Sequence, residues 1–348
     1  MNRAMFIFPL AVCLAACGAS AVTAPPHCLL GLAANIRAGG GPEDLKAMLL
    51  EQKSMGLDAC AISAKWSDLE PEPGKIDVEK MGKDVAGAAA FGWKVALTIQ
   101  TIDTNQRTVP PDLKAEPWDS ETMRDRFSKL LAAIAGKLGD SVVAVSLGNE
   151  VDGYLVAHPA EAGPFKRFLS AGRQALRTLK PGMPVGVTCM FEGRRSNPKL
   201  IDGLFEGLDA VFFTYYPTGD AMAVRDPSTV DPDLDAMISS AAGRPLYLQE
   251  VGYPAAPLLG SSDEKQAQFV RAFYKALAKR KSKVALACYV LQTDFSPELV
   301  DRLTAYYGID QPRFRAFLST LGLRRSDGSP RPALQAFEEA VKAVQTAP

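Results

Sequence analysis

Histidine is almost absent from this chain: only His27 and His158 occur in 348 residues. A metal centre built from several imidazoles is therefore excluded. Any Ser-His or Cys-His engine would have to use one of these two. Net charge is absent as well, because Lys and Arg number 39 and Asp and Glu number 39. Nothing electrostatic then draws the chain to nucleic acid or to an anionic surface. Cysteine is scarce, with six residues and no CxxC. Cys28, Cys60, Cys189 and Cys288 lie in apolar segments, where a free thiol acts as a small hydrophobe, and their spacing dictates no pairing. There is no GxGxxG and no Walker loop, which counts against a nucleotide-binding sheet. No cofactor and no metal are expected.

The first segment, "MNRAMFIFPLAVCLAACGAS", carries one basic residue, then a short apolar run, then small residues. The run is too short to span a bilayer and has the layout of a secretory signal. Leu14-Ala15-Ala16-Cys17 resembles the bacterial lipobox, which implies a signal over 1–16, diacylation of Cys17 and a tether over 17–26. Gly18 follows, not Asp, and by the same resemblance this favours the outer membrane. The expectation is a lipid-anchored, monomeric protein of the cell envelope.

What the remainder contains is a repeating alternation. Apolar runs such as "CLLGLAANI", "DACAISAKW", "KVALTIQTID", "VVAVSLGNE", "PVGVTCMF", "LDAVFFTYYP", "PLYLQEVGYP" and "VALACYVLQTDF" alternate with segments of helical periodicity. Eight βα units over 27–348, with no linker long enough to divide them, predict a single closed (β/α)8 barrel of the α/β class.

In such a barrel, chemistry gathers at the C-terminal ends of the strands. Polar residues collect there in this chain. Strand two runs into Trp66, strand three into Asp103 and Arg107, and strand four into Asn149, Glu150 and Asp152. Strand six ends in Tyr215-Tyr216, strand seven in Gln249-Glu250, and strand eight runs into Gln292 and Asp294. Trp118, Tyr154 and Tyr253 are further aromatic candidates for stacking on a sugar face. A single Glu at a strand end is ordinary. Two of them, on strands four and seven, each after an apolar run and each preceded by an amide, are a pair. Paired carboxylates flanking a bond are what glycoside hydrolysis requires. A barrel mouth is narrow, which favours the spacing of about 5–5.5 Å that belongs to a retaining double displacement.

"WSDLEPEPGKIDVEKM", "SLGNEVD", "YYP" and "LQEVGYP" resemble the clan A glycoside hydrolases, especially endo-β-galactanase-like and cellulase-like bacterial barrels. The resemblance covers nearly the whole mature chain and implies a β-linked oligo- or polysaccharide substrate. It implies Glu150 as acid/base, Glu250 as nucleophile, and Asn149 as the partner of the sugar 2-hydroxyl. Tyr215 or Tyr216 would bond the nucleophile. By their strand-end positions, Trp66, Asp103, Arg107, Asp152, Gln292 and Asp294 are the candidates to contact substrate. Two positions depart from the pattern. The Arg that many clan members carry inside strand two is matched by Ala61. The Trp often found at the end of strand eight is replaced near Leu291-Gln292. Lys65 or Arg107 could take over the missing charge. These departures keep open a transglycosylase or a non-catalytic sugar-binding barrel. A metal-dependent barrel hydrolase is disfavoured by the shortage of histidine.

Overall fold

The computed structural model describes residues 24–347. The expected signal segment 1–16, most of the tether and Cys17 lie outside the described residues. Strands β1 (Leu29–Leu32), β2 (Ala59–Lys65), β3 (Lys94–Gln100) and β4 (Val142–Ser146) lead into β5, which comes in two pieces, Val185–Gly186 and Thr188–Met190. Strands β6 (Val211–Tyr215), β7 (Leu246–Val251) and β8 (Leu286–Tyr289) follow. Every neighbouring pair is parallel. The first piece of β5 pairs with β4 and the second with β6. Strand β1 pairs with β8, so the sheet closes into the expected barrel of eight. Strand β1 is shorter than the apolar run that announces it.

The barrel interior must be filled with side chains. Its lower layer sets Ala59, Ala96, Ala144 and Ala210 against the bulky Phe212 and Tyr247. The two rings stack 4.7 Å apart. Small residues on one side leave room for large ones from the other. Gly186 belongs to this fit, since a Cβ there would lie 2.7 Å from the Phe212 ring. Ala61 packs against the same layer. The next layer up is polar and continuous. Thr98 of β3 and Thr188 of β5 donate to Gln249 Oε1 of β7 at 2.9 and 2.8 Å, and Ser146 meets Thr188 at 2.8 Å. This layer is the floor of the mouth.

Amphipathic helices cover the outside, among them Glu121–Ala135, Ala162–Leu179 and Asp263–Ala278. Ser120 and Ser262 cap the first and last of these by accepting N3 backbone N–H groups, each at 3.1 Å. Several helices were not expected from the sequence, two of them beyond β8. Pro297–Tyr307 and Pro312–Leu318 form an excursion after β8. Its sequence signals are legible in retrospect. Ser296 caps Leu299 N at 3.3 Å, Pro297 sits at the first helical position, and Gly308 ends the helix at φ +66.

Candidate active site

Strand alternation alone would turn only one of each amide-Glu pair toward the mouth. Two local irregularities turn both. At β7 the register with β6 shifts between Leu248 and Glu250, and a bulge of this kind re-aims side chains. Beyond β4, Glu150 stands at the start of the next helix in the left-handed region, φ +45 and ψ +43. That conformation is unfavourable for a residue with a Cβ, and it clusters at functional sites. Thr104, φ +52, shares it and donates to Glu150 Oε2 at 2.7 Å.

The two pairs meet across the barrel. Gln249 Nε2 donates to Asn149 Oδ1 at 2.8 Å, and Asn149 Nδ2 donates to Asp103 Oδ1 at 3.1 Å. Glu150 accepts from Thr104 and, at 2.7 Å, from Thr214. Glu250 accepts from the Tyr216 hydroxyl at 2.6 Å. Tyr216 reaches it because residue 252 is glycine: a Cβ there would lie 2.6 Å from the Tyr216 ring. The structure thus brings Glu150, Glu250, Asn149, Tyr216 and Asp103 into one cluster at the C-terminal mouth.

Both glutamates hold their protons more tightly than a carboxyl in water. Burial is the main cause for Glu150, with Asp103 adding repulsion against the bonds from Thr104 and Thr214. Burial is also the main cause for Glu250, which is pushed up to about 7, followed by the repulsion of Glu150. Two carboxylates that repel each other cannot both ionise at low cost, so the pair keeps a proton near neutrality. A pH dependence of stability follows. Below the ordinary value of 4.5, Glu250 is protonated in the folded and unfolded chain alike. Between 4.5 and about 7 only the folded chain keeps the proton, and above that range the folded chain must bear a buried charge. Stability therefore falls as pH rises through this window. Glu250→Gln should raise the melting temperature at pH 8, with a smaller gain at pH 5. Equal melting temperatures for variant and wild type at both pH values would contradict it.

Six expected contact residues lie elsewhere. Tyr215 alternates outward from Tyr216. Its ring is buried against Phe191 and Phe269, and its hydroxyl bonds Asp233 at 2.8 Å. Trp66 is fully buried against Phe127 and Phe168 and donates to Glu70 at 2.8 Å. Arg107 lies 4.1 Å over the Trp118 ring and donates to Glu116 O at 2.7 Å, so it braces a loop. Asp152 accepts from Met190 N at 2.9 Å beneath Gly193, where a Cβ would lie 1.8 Å from its Oδ2. Burial first, and then Glu150, pushes Asp152 up to about 7. Gln292 points at the first helix, Pro42–Ser54, bonding Gln52 and Glu51, each at 2.6 Å. Asp294 pairs with Arg331 at 2.6 Å and accepts from Gly322 N at 2.6 Å. Each has its polar group taken up by a partner, one turn on for Trp66, in the following loop for Arg107 and in more distant segments for the others, which strand-end position alone does not disclose. Trp118 and Tyr253 are buried as well, and Tyr154 stacks on His158 at 4.0 Å.

Other residues take their place. Thr104 and Thr214 hold Glu150. Tyr306, from the excursion after β8, donates to Asp103 Oδ2 at 2.9 Å. Lys65, at the end of β2, sets its ammonium 3.6 Å from the centre of the Tyr306 ring. Of the two cations considered for the missing strand-two Arg, Lys65 is the one at the mouth. Thr214 was within reach of sequence reasoning, since it lies near the end of β6, two residues before Tyr216, and the alternation carried one residue past the strand puts both on one face.

No family model and no curated protein sequence matches the chain. Solved structures do. A GH5_18 protein from Streptomyces cattleya, in complex with GlcNAc, is 17% identical at a TM-score of 0.71, covering 94% of this chain and 82% of that one. A GH5_18 protein from Bifidobacterium longum subsp. longum, in complex with Manb1-4GlcNAc, is 17% identical at 0.69, over 92% and 79%. An exo-beta-1,4-mannosidase from Opitutaceae bacterium strain TAV5 is 18% identical at 0.67, over 92% of this chain and 60% of that one. At these identities the similarity is one of architecture: this chain has the (β/α)8 barrel fold of those glycoside hydrolase structures.

Proposed function

We propose that the protein is a retaining glycoside hydrolase acting on a β-linked saccharide. The observation that carries this is the pair of half-buried carboxyls at the mouth, Glu150 and Glu250, joined through the Gln249–Asn149 hydrogen bond at 2.8 Å. Their roles differ by surroundings. Glu250 accepts from a phenol, which favours its ionised form and suits a nucleophile. Two threonine hydroxyls donate to Glu150 and favour its ionised form, but burial outweighs them and raises its hold on the proton. Glu150 can therefore hold a proton and suits the acid. Asn149 spends one N–H on Asp103 and has a second for a sugar hydroxyl.

In the first step Glu150 gives its proton to the leaving oxygen as Glu250 attacks the anomeric carbon. The glycosidic bond breaks and an ester to Glu250 forms. Esterification removes the Glu250 charge, so the Glu150 carboxylate becomes easier to form. Glu150 then takes a proton from water, which attacks the ester and releases the sugar with retained configuration.

The test is a panel of 4-nitrophenyl β-glycosides and β-linked oligosaccharides. Manβ1-4GlcNAc belongs in it because a structural neighbour was crystallised with that disaccharide. Hydrolysis with a retained anomer is expected. An inverted product would overturn the double displacement. Saturable sugar binding without turnover would favour the sugar-binding alternative, for which Ala61 at the strand-two position speaks.

A further inference from the structure

We infer that Asp103 is a positioning residue of this site: clamped between Asn149 and Tyr306, it orients the amide before Glu150, and its negative charge keeps the proton on Glu150. The inference rests on Glu150 as the acid.

Asp103 is only 3% exposed, so its charge is poorly screened. Both oxygens are engaged, Oδ1 by Asn149 at 3.1 Å and Oδ2 by the Tyr306 hydroxyl at 2.9 Å. Its backbone is fixed as well. Residues Ile102–Asp103 and Gln106–Arg107 form a small antiparallel hairpin just beyond β3. Asn149 N donates to Ile102 O at 2.9 Å, and Thr104 N donates to Asn149 O at 3.0 Å. The hairpin is tied to the β8 excursion too. Asn105 Nδ2 donates to Tyr307 O at 2.8 Å, and Gln106 Nε2 bonds Tyr306 O. Three segments far apart in sequence thus converge on one carboxylate, and that carboxylate grips the residue before the acid.

The charge acts in a stated direction. A carboxylate beside Glu150 and Glu250 disfavours a second negative charge, and Asp103 raises the proton affinity of both. Other groups face the same space. Glu250 and Asp152 are the further carboxyls that interact with Glu150, and Asp68 acts on Tyr306. Tyr216, Tyr307 and Cys189 are neutral, their own ionisation pushed far up by burial. Lys65, its ammonium over the Tyr306 ring, is a cation at this side of the mouth and carries the sign opposite to Asp103.

The experiment follows the Glu150 carboxyl directly, by NMR of protein labelled with 13C at the glutamate carboxyls. It uses the Glu250→Gln background, with Glu150→Gln to identify the signal. Asp103→Asn keeps the shape and removes the charge, so the Glu150 midpoint should fall by about one pH unit. Lys65→Met should move it the other way, and this half-buried side chain tolerates substitution even if Asp103→Asn does not fold. A midpoint unmoved in the folded variants, or moved in the same direction by both, overturns the inference. Because the titration needs no substrate, its failure is separate from a failure of hydrolysis. On any aryl glycoside that wild type hydrolyses, the alkaline limb of the pH–rate profile should shift to lower pH in Asp103→Asn. A merely structural loss would lower the rate and leave the limb in place.

Discussion

Glu250→Gln should abolish turnover, by at least about 10⁴-fold, on every substrate that the wild-type protein cleaves. The neutral amide is too weak a nucleophile to displace the leaving group, and it has no negative oxygen with which to form the glycosyl ester. Glu150→Ala should behave differently. With a poor leaving group it should lose about 10²- to 10⁴-fold, the worth of general acid catalysis. With a good leaving group, such as 4-nitrophenolate, departure needs little protonation, so the first step is largely spared. The ester on Glu250 then accumulates, because no base activates water. Azide, which needs no base, should restore turnover and give a glycosyl azide of retained configuration. Wild-type rates in both variants on a verified substrate would mean that the chemistry lies elsewhere. Rescue giving an inverted azide would keep the residues and reject the ester.

The second large effect concerns Trp66, and here the expected loss is in stability. The ring is fully buried between strand and helices, 4.9 Å from Phe127 and 6.3 Å from Phe168. Its indole N–H bonds Glu70, which also receives Arg126 Nε at 2.7 Å and Gly74 N at 2.8 Å. Trp66→Ala opens a cavity and strips one donor from a buried carboxylate. The cost should be about 3–5 kcal/mol in urea unfolding. Trp66→Phe keeps most of the packing and loses the donor, at about 1–3 kcal/mol. The folded fraction should hydrolyse substrate with an unchanged KM. A raised KM with unchanged stability would restore Trp66 to the sugar-binding surface.

The sequence alone determined the architecture. Eight apolar runs alternating with amphipathic helices leave few ways to bury both faces of a parallel sheet, and closing the sheet removes its edges. It also located Asn149-Glu150 and Gln249-Glu250, because a carboxylate directly after a buried strand has few places to go except a polar mouth. Period-two alternation, followed strictly, would have separated Tyr216 from Tyr215 and added Thr214 to the site.

What tertiary structure decided was which polar residues found partners elsewhere. Arg107, Asp152, Gln292 and Asp294 all sit near strand ends, yet each is taken up by a neighbour that folding brings alongside: Trp118, Met190, Gln52 and Arg331. Buried polar groups must be paired, and the partner's place in sequence carries no local signal. The bulge at Gln249-Glu250 and the left-handed turn at Glu150 are equally invisible in a pattern of apolar and polar letters. So is the clamp on Asp103, since Tyr306 comes from a helix more than 200 residues further along the chain and reaches the site only once the barrel has closed.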